Sequence, residues 1–212
     1  MAGVNPKIAI MVSSCARDRN LECGPLDTWM EAWGDQVEHY LLLGKENTYK
    51  NNHDWIVDVP DTYESCAGKT WKAAQFAVQN NLDYIFKCDL DTYVCVPKLL
   101  KYDLNGRDYV GHRCSEGHAA GGNGYWLSQK ACKVLLETPW QTGYQDLWAG
   151  MALAKHNIFC HHDVAFAGER LPWGVCDRTV TMHLGISGQK FNPKWMYDCH
   201  DACLEHLGVS DG

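Results

Sequence analysis

From position 8 to position 12 the chain reads Ile-Ala-Ile-Met-Val without a polar residue, then turns polar at Ser13-Ser14. An apolar run with no alternation predicts a strand over 7–15 that is covered on both faces. The next pattern has a different period. Leu26, Trp29, Met30 and Trp33 recur at helical spacing between Pro25 and Gly34, which predicts a helix over 25–34. Two further apolar stretches, 37–44 and 54–61, read as strands. The segment 64–80 is made of good helix formers and turns Trp71, Ala74, Phe76 and Val78 toward one buried side. The run 84–89, Tyr-Ile-Phe-Lys-Cys-Asp, reads as the next strand.

Strands and helices thus alternate through the first ninety residues, which predicts an α/β fold with a mostly parallel central sheet and helices on both faces. In such sheets ligands bind beyond the carboxyl ends of the strands. The second half is less regular. A glycine-rich stretch over 118–128 precedes a helix over 129–137, a second helical run over 143–157, and a tail rich in Gly, Trp and His. No repeat, low-complexity tract or linker interrupts the chain. The expectation is one domain over 1–212, with a nucleotide-binding half about 1–95 and an acceptor-binding half about 96–212.

Composition narrows the function. At 212 residues and 46% hydrophobic content the chain can bury one substantial core. A net charge of -7 with 19 scattered basic residues argues against a nucleic-acid partner, which calls for a basic stripe. The apolar run at 8–12 is far shorter than the ~20 residues of a spanning helix, and no signal-peptide pattern precedes it. The eleven cysteines are odd in number and often lie inside apolar runs, so they read as reduced thiols in a cytoplasmic protein. Cys199-His200-x-x-Cys203 and His161-His162 offer zinc-type ligands, but neither has the paired spacing of a known zinc set.

The chemistry concentrates at Asp89-Leu90-Asp91, where the 84–89 strand ends in two carboxylates. Like charges at the mouth of a core repel unless a cation joins them. Mg²⁺ or Mn²⁺ suits oxygen ligands, and substrate phosphates commonly complete the shell, which points to a nucleotide diphosphate. An Asp pair that only caps a loop is the plain alternative. Gly121, Gly122 and Gly124 allow close backbone approach at a sugar or acceptor pocket. Tyr125 and Trp126 beside them suit either a sugar face or the core. Arg17, Arg19, Lys69, Lys87 and Arg113 are candidate diphosphate partners, Arg17 first, because the loop after the first strand faces the nucleotide.

Read in order, "GKT" after "PDTYES", "FKCDLDTYV", "GGNGYWLS", "QDLWAGMAL" and "MHLG" resemble the motifs of GT-A glycosyltransferases of the fringe and beta-1,3-galactosyltransferase group. The resemblance spans roughly residues 7–186. It implies a GT-A, Rossmann-like fold and transfer of a sugar from a nucleotide-diphosphate sugar, a UDP-sugar in this group, to a glycan or glycoprotein. It implies that Asp91 binds the metal, Asp89 supports it or the ribose, and His183 completes the shell. From the residues themselves, Arg17, Lys69 and Gly122 are the expected donor contacts beside Asp89. Asp146 matches the acid that deprotonates the acceptor hydroxyl. Gln145 departs from the group, which has an acid there, and that departure weakens the case for an inverting course. Asp146 is equally suited to capping the helix that follows it. A narrower similarity is to glycosyltransferase domains of large algal viruses, which would place the chain in the host cytoplasm. A sugar-binding module without turnover, and a metal-dependent phosphohydrolase or nucleotidyltransferase, are the competing readings.

Overall fold

The protein is described by a computed structural model for residues 6–166, 168–169, 178–185 and 191–209. Strands β1 (Ile8–Ser13), β2 (Glu38–Leu43), β3 (Asp54–Ile56) and β4 (Tyr84–Asp89) pair in parallel in the order β3-β2-β1-β4. Beyond β4 the sheet continues through β7 (Tyr125–Ser128), β6 (Tyr109–Gly111) and β8 (His161–His162). β7 runs antiparallel to both β4 and β6, while β6 and β8 are parallel. A small second sheet joins β5 (Thr92–Val94), β10 (Thr181–His183) and β9 (Gly168–Glu169) in the order β5-β10-β9. The expected mostly parallel sheet with helices on both faces is present.

Side-chain alternation divides the core into two layers. Along β1, Ala9 and Met11 face one cluster and Ile10 and Val12 the other; along β7, Tyr125 and Leu127 face the first and Trp126 the second. The first layer is covered by α1 (Cys66–Gln79), α2 (Gln129–Glu137) and α3 (Gln145–Ala154). The helical stretch 23–33, the short helix Val96–Leu100 and the C-terminal helix α4 (Lys194–Leu207) cover the second. Tyr125 and Trp126 are fully buried core residues and offer no face to a sugar.

One buried ion pair ties the first helix to the end of the first strand. Lys69 of α1 donates from Nζ to Ser14 O (2.6 Å) and to Asp61 Oδ1 (2.7 Å), and its side chain is fully buried. Asp61 also accepts from the amides of Ala16 and Gly44. Burial alone would raise the Asp61 carboxyl. The hydrogen bonds from Lys69, Asn47 and the two amides outweigh it and hold the group at about 2, against 3.8 ordinarily. A folded pKa below the unfolded one gives stability that is present above about pH 4 and lost as pH falls toward 2. The linked contribution is about 2 kcal/mol. Urea unfolding at pH 6 and pH 3 should therefore show a loss in the wild type that Asp61→Asn, already destabilised at pH 6, largely lacks. Equal pH sensitivity in the two proteins would refute that assignment.

Candidate functional site

A cavity of about 710 Å³ opens at the carboxyl ends of β1 and β4, a size typical of small-molecule sites. The register that pairs Ser13 with Asp89 sets both strand ends side by side. Ser13, Ser14, Arg17, Asp89, Asp91, Gly121, Gly122, Gln145, Asp146 and His183 are among its lining residues. The two halves of the chain both contribute. Asp89 and Asp91 come from the turn after β4, Gly121 and Gly122 from the loop before β7, Gln145 and Asp146 from the start of α3, and His183 from β10.

The second sheet brings Asp91 and His183 together across 92 positions of sequence. β10 pairs with β5 so that His183 sits opposite Thr92, and the Leu184 amide donates to Asp91 O (2.8 Å). His183 Nε2 then lies 3.3 Å from Asp91 Oδ2. Two glycines keep this pair uncrowded. A Cβ on Gly122 would sit 2.5 Å from His183 Nε2, and one on Gly185 would sit 2.0 Å from Asp91 Oδ2 and 2.9 Å from His183 Nε2. A carboxylate and an imidazole, both partly exposed to the cavity and cleared of side chains, fit a divalent cation such as Mn²⁺. Gly185→Ala should accordingly abolish Mn²⁺-dependent thermal stabilisation, while Gly106→Ala, whose Cβ meets nothing within 4 Å but whose φ of +69° strains a side chain, should melt lower and still keep the Mn²⁺-dependent rise. Retained stabilisation in Gly185→Ala would sink the proposed pairing.

Asp89 is held differently. Its Oδ1 accepts from Gln145 Nε2 (2.6 Å) and from Lys87 Nζ (3.2 Å), which leaves Oδ2 toward the cavity. Gln145 is buried and accepts at Oε1 from Thr70 Oγ1 (2.8 Å), so it spans from α1 to the Asp pair. An acid at position 145 would lack the N–H that Asp89 uses and would add a like charge. Gln145 therefore acts here as a positioning residue. Thr92 fixes the turn from the other side, accepting from the Asp89 amide (3.1 Å) and donating to Gly122 O (2.8 Å). The geometry fits Asp91 and His183 as direct metal ligands with Asp89 in support.

Asp146 is not the N-cap of α3. That position is Tyr144, and Asp146 lies in the first turn. Its Oδ1 accepts from the Leu147 amide (2.8 Å) and its Oδ2 from the Gly121 amide (3.0 Å). Nor is Asp146 remote from the Asp pair, as its place in the second half suggests. A single Cβ on Gly121 would meet Asp146 Oδ2 at 3.3 Å and Asp89 Oδ2 at 3.4 Å, so the two acids face each other across one glycine. Chain distance is a poor guide in a sheet whose strands are not laid down in spatial order.

Of the five basic candidates, only Arg17 lines the cavity, with a side chain 72% exposed and paired to Asp18 at 3.1 Å. Lys69 is corrected: its ammonium is buried against Asp61 and Ser14 and it does not reach the cavity wall. Lys87 is likewise buried, donating to Cys88 O and Asp89. Arg19 is bound by Asp54 and Glu22, and Arg113 lies outside the cavity. Three lining groups carried no sequence signal. Ser13 Oγ is buried without a hydrogen-bond partner, and Tyr63 and Tyr144 stand at the rim with ring centroids 6.5 Å apart. Cys66 also lines the cavity, but burial, with the Asp89 charge adding to it, pushes its thiol up to about 11, so it offers no thiolate at neutral pH.

No protein-family model matches the chain, and no curated protein sequence matches it. Solved structures do. One is a glycosyltransferase involved in the glycosylation of the major capsid of PBCV-1, with TM-score 0.55 and 12% identity over 96% of this chain and 99% of that one. Another is the catalytic domain of Drosophila beta-1,4-galactosyltransferase 7 with xylobiose, with TM-score 0.51 and 16% identity over 89% of this chain and 78% of that one. A mutant of the same Drosophila enzyme, in complex with manganese, UDP-Gal and xylobiose, aligns with TM-score 0.50 and 16% identity over 90% of this chain and 79% of that one. The likeness is to GT-A glycosyltransferases broadly and does not single out the fringe group. At such identities it speaks for architecture, and on that ground this chain has the GT-A fold.

Proposed function

We propose that the protein is a metal-dependent glycosyltransferase that moves a sugar from a nucleotide-diphosphate sugar, a UDP-sugar, to a hydroxyl of a glycan or glycoprotein. The observation that carries this reading is the meeting of Asp91 and His183 at the strand-end cavity, with Asp89 held beside them and Asp146 across Gly121. Bound Mn²⁺ or Mg²⁺ would neutralise charge that develops on the departing diphosphate. Arg17 and the unpartnered Ser13 hydroxyl line the donor end of the cavity and suit phosphate or ribose oxygens. Asp146 accepts the proton of the acceptor hydroxyl, and the Gly121 amide fixes its orientation.

Tyr63 and Tyr144, 55% and 66% exposed and both lining the cavity, present apolar faces of the kind a pyranose ring packs against. In this reading they border the acceptor. Tyr144→Ala should raise the acceptor KM by about tenfold, corresponding to roughly 1.4 kcal/mol, with little change in donor KM. A rise in donor KM instead would assign the pair to the nucleotide base. The central test is a panel of nucleotide sugars with Mn²⁺, read by thermal stabilisation and by release of the nucleoside diphosphate. The true donor raises the melting temperature by mass action and EDTA reverses it. A panel with no metal-dependent stabilisation by any donor would overturn the proposal.

A further inference from the structure

Among the described residues, the His, Cys, Asp and Glu side chains whose ligand atoms come closest as a set do not lie in the strand-end cavity. They are Cys114, Glu116 and His118, whose ligand atoms all lie within 4.8 Å of one another. Together they occupy the hairpin that leads into the Gly121–Asn123 turn, closed by the Arg113–Ala119 bridge. The backbone sets the register: the Cys114 amide donates to His118 O (2.8 Å), the Gly117 amide to Cys114 O (3.0 Å), and Gly117 supplies a φ of +89° that other residues rarely adopt. The hairpin is also anchored from outside. A Cβ on Gly150 of α3 would lie 2.3 Å from His118 Cβ, so the histidine packs directly on that helix. His118 Nδ1 lies 3.0 Å from Ala119 O. A neutral imidazole that donates to a carbonyl from one nitrogen keeps a lone pair on the other, the arrangement typical of metal-binding histidines.

We propose that Cys114, Glu116 and His118 form a second metal site, selective for Zn²⁺ or Co²⁺ over Mn²⁺ and Mg²⁺. Thiolate, imidazole and carboxylate are the ligand types that zinc takes, whereas Mn²⁺ and Mg²⁺ prefer oxygen. Zinc lies about 2.0 to 2.3 Å from such ligands, so side-chain rotations within the hairpin bring all three onto one ion. Burial, with the Asp146 and Glu116 charges adding to it, raises the free Cys114 thiol; coordination displaces its proton, so that thiolate and carboxylate balance the charge of the ion. Three protein ligands leave a fourth position open to solvent. Binding would brace the loop that carries Gly121 and Gly122, and would fix the imidazole whose other nitrogen, Nδ1, lies 3.9 Å from Asp146 Oδ2.

The site stands independently of the proposed glycosyl transfer, and the experiment keeps the two apart. The reduced protein, stripped of metal, is titrated with Co²⁺ and followed by thiolate-to-cobalt charge-transfer absorption, which oxygen-rich ligand sets cannot produce. The band should appear at about one equivalent, vanish on adding Zn²⁺, and survive excess Mg²⁺. It should be lost in Cys114→Ser, weaken in affinity by about tenfold or more in His118→Ala, and persist in Asp91→Asn. Circular dichroism confirms that each variant is folded. Absence of the band in the folded wild type, or its survival in Cys114→Ser, would overturn the site.

Discussion

Asp91→Asn is expected to lower sugar transfer by on the order of 10³-fold, because losing a charged metal ligand removes electrostatic stabilisation of the departing diphosphate. The carboxamide is nearly isosteric and keeps an oxygen near His183 Nε2, which lies 3.3 Å from Asp91 Oδ2. The effect therefore reports charge more than shape. Stability supplies a control that a folding defect cannot imitate. Without a cation, Asp89, Asp91 and Asp146 are three acids around one cavity, and neutralising one relieves repulsion. The metal-free variant should melt at or above the wild-type temperature, yet gain nothing from Mn²⁺ with UDP. Normal Mn²⁺-dependent UDP binding by Asp91→Asn, measured by calorimetry, would remove Asp91 from the metal site.

Much of this arrangement can be read in the sequence, and what cannot has physical causes. The parallel half was legible where its strands are apolar runs and its helix is long: α1 falls within the expected 64–80, and β4 matches 84–89, whereas the helix expected over 25–34 is broken by the non-helical Thr28. The segment Tyr125–Ser128 was not. It follows three glycines, spans four residues and is buried on both faces, so it shows neither the length nor the alternation that marks a strand. β5, β9 and β10 are two or three residues long and exist through pairing with one another, information that no local pattern carries.

Candidate site residues divide along the same line. Asp89 and Asp91 stand at the end of a recognisable strand, so their place could be inferred. His183 meets Asp91 only through the β5–β10 pairing, and without the family resemblance its residue type alone would not have placed it there. Lys69 shows the opposite failure. A lysine in a helix over 64–80 reads as a cation available to a diphosphate, but Asp61 and Ser14 O satisfy it so fully that it is buried. Gln145 reads as a missing acid, whereas the structure uses both ends of its amide, one to accept from Thr70 and the other to donate to Asp89.

Asp146→Asn is expected to reduce turnover by about 10²- to 10⁴-fold, the range that a positioned general base contributes. The structure makes this variant clean in one respect and demanding in another. Because Asp146 is not the N-cap of α3, the helix keeps its start, and an Asn oxygen still accepts from the Leu147 or Gly121 amide. Folding should change by no more than about 1 kcal/mol, that of one hydrogen bond. Asp146 also faces Asp89 across Gly121, so removing its charge alters the field at the metal end of the cavity. Donor affinity should shift by less than about tenfold, within the reach of a charge that does not itself bind the metal. The separation of the two effects is the test. A large kcat loss with a small change in UDP Kd assigns Asp146 to the acceptor hydroxyl. Equal losses in both would place it in the metal shell, and near wild-type transfer would end its candidacy as base.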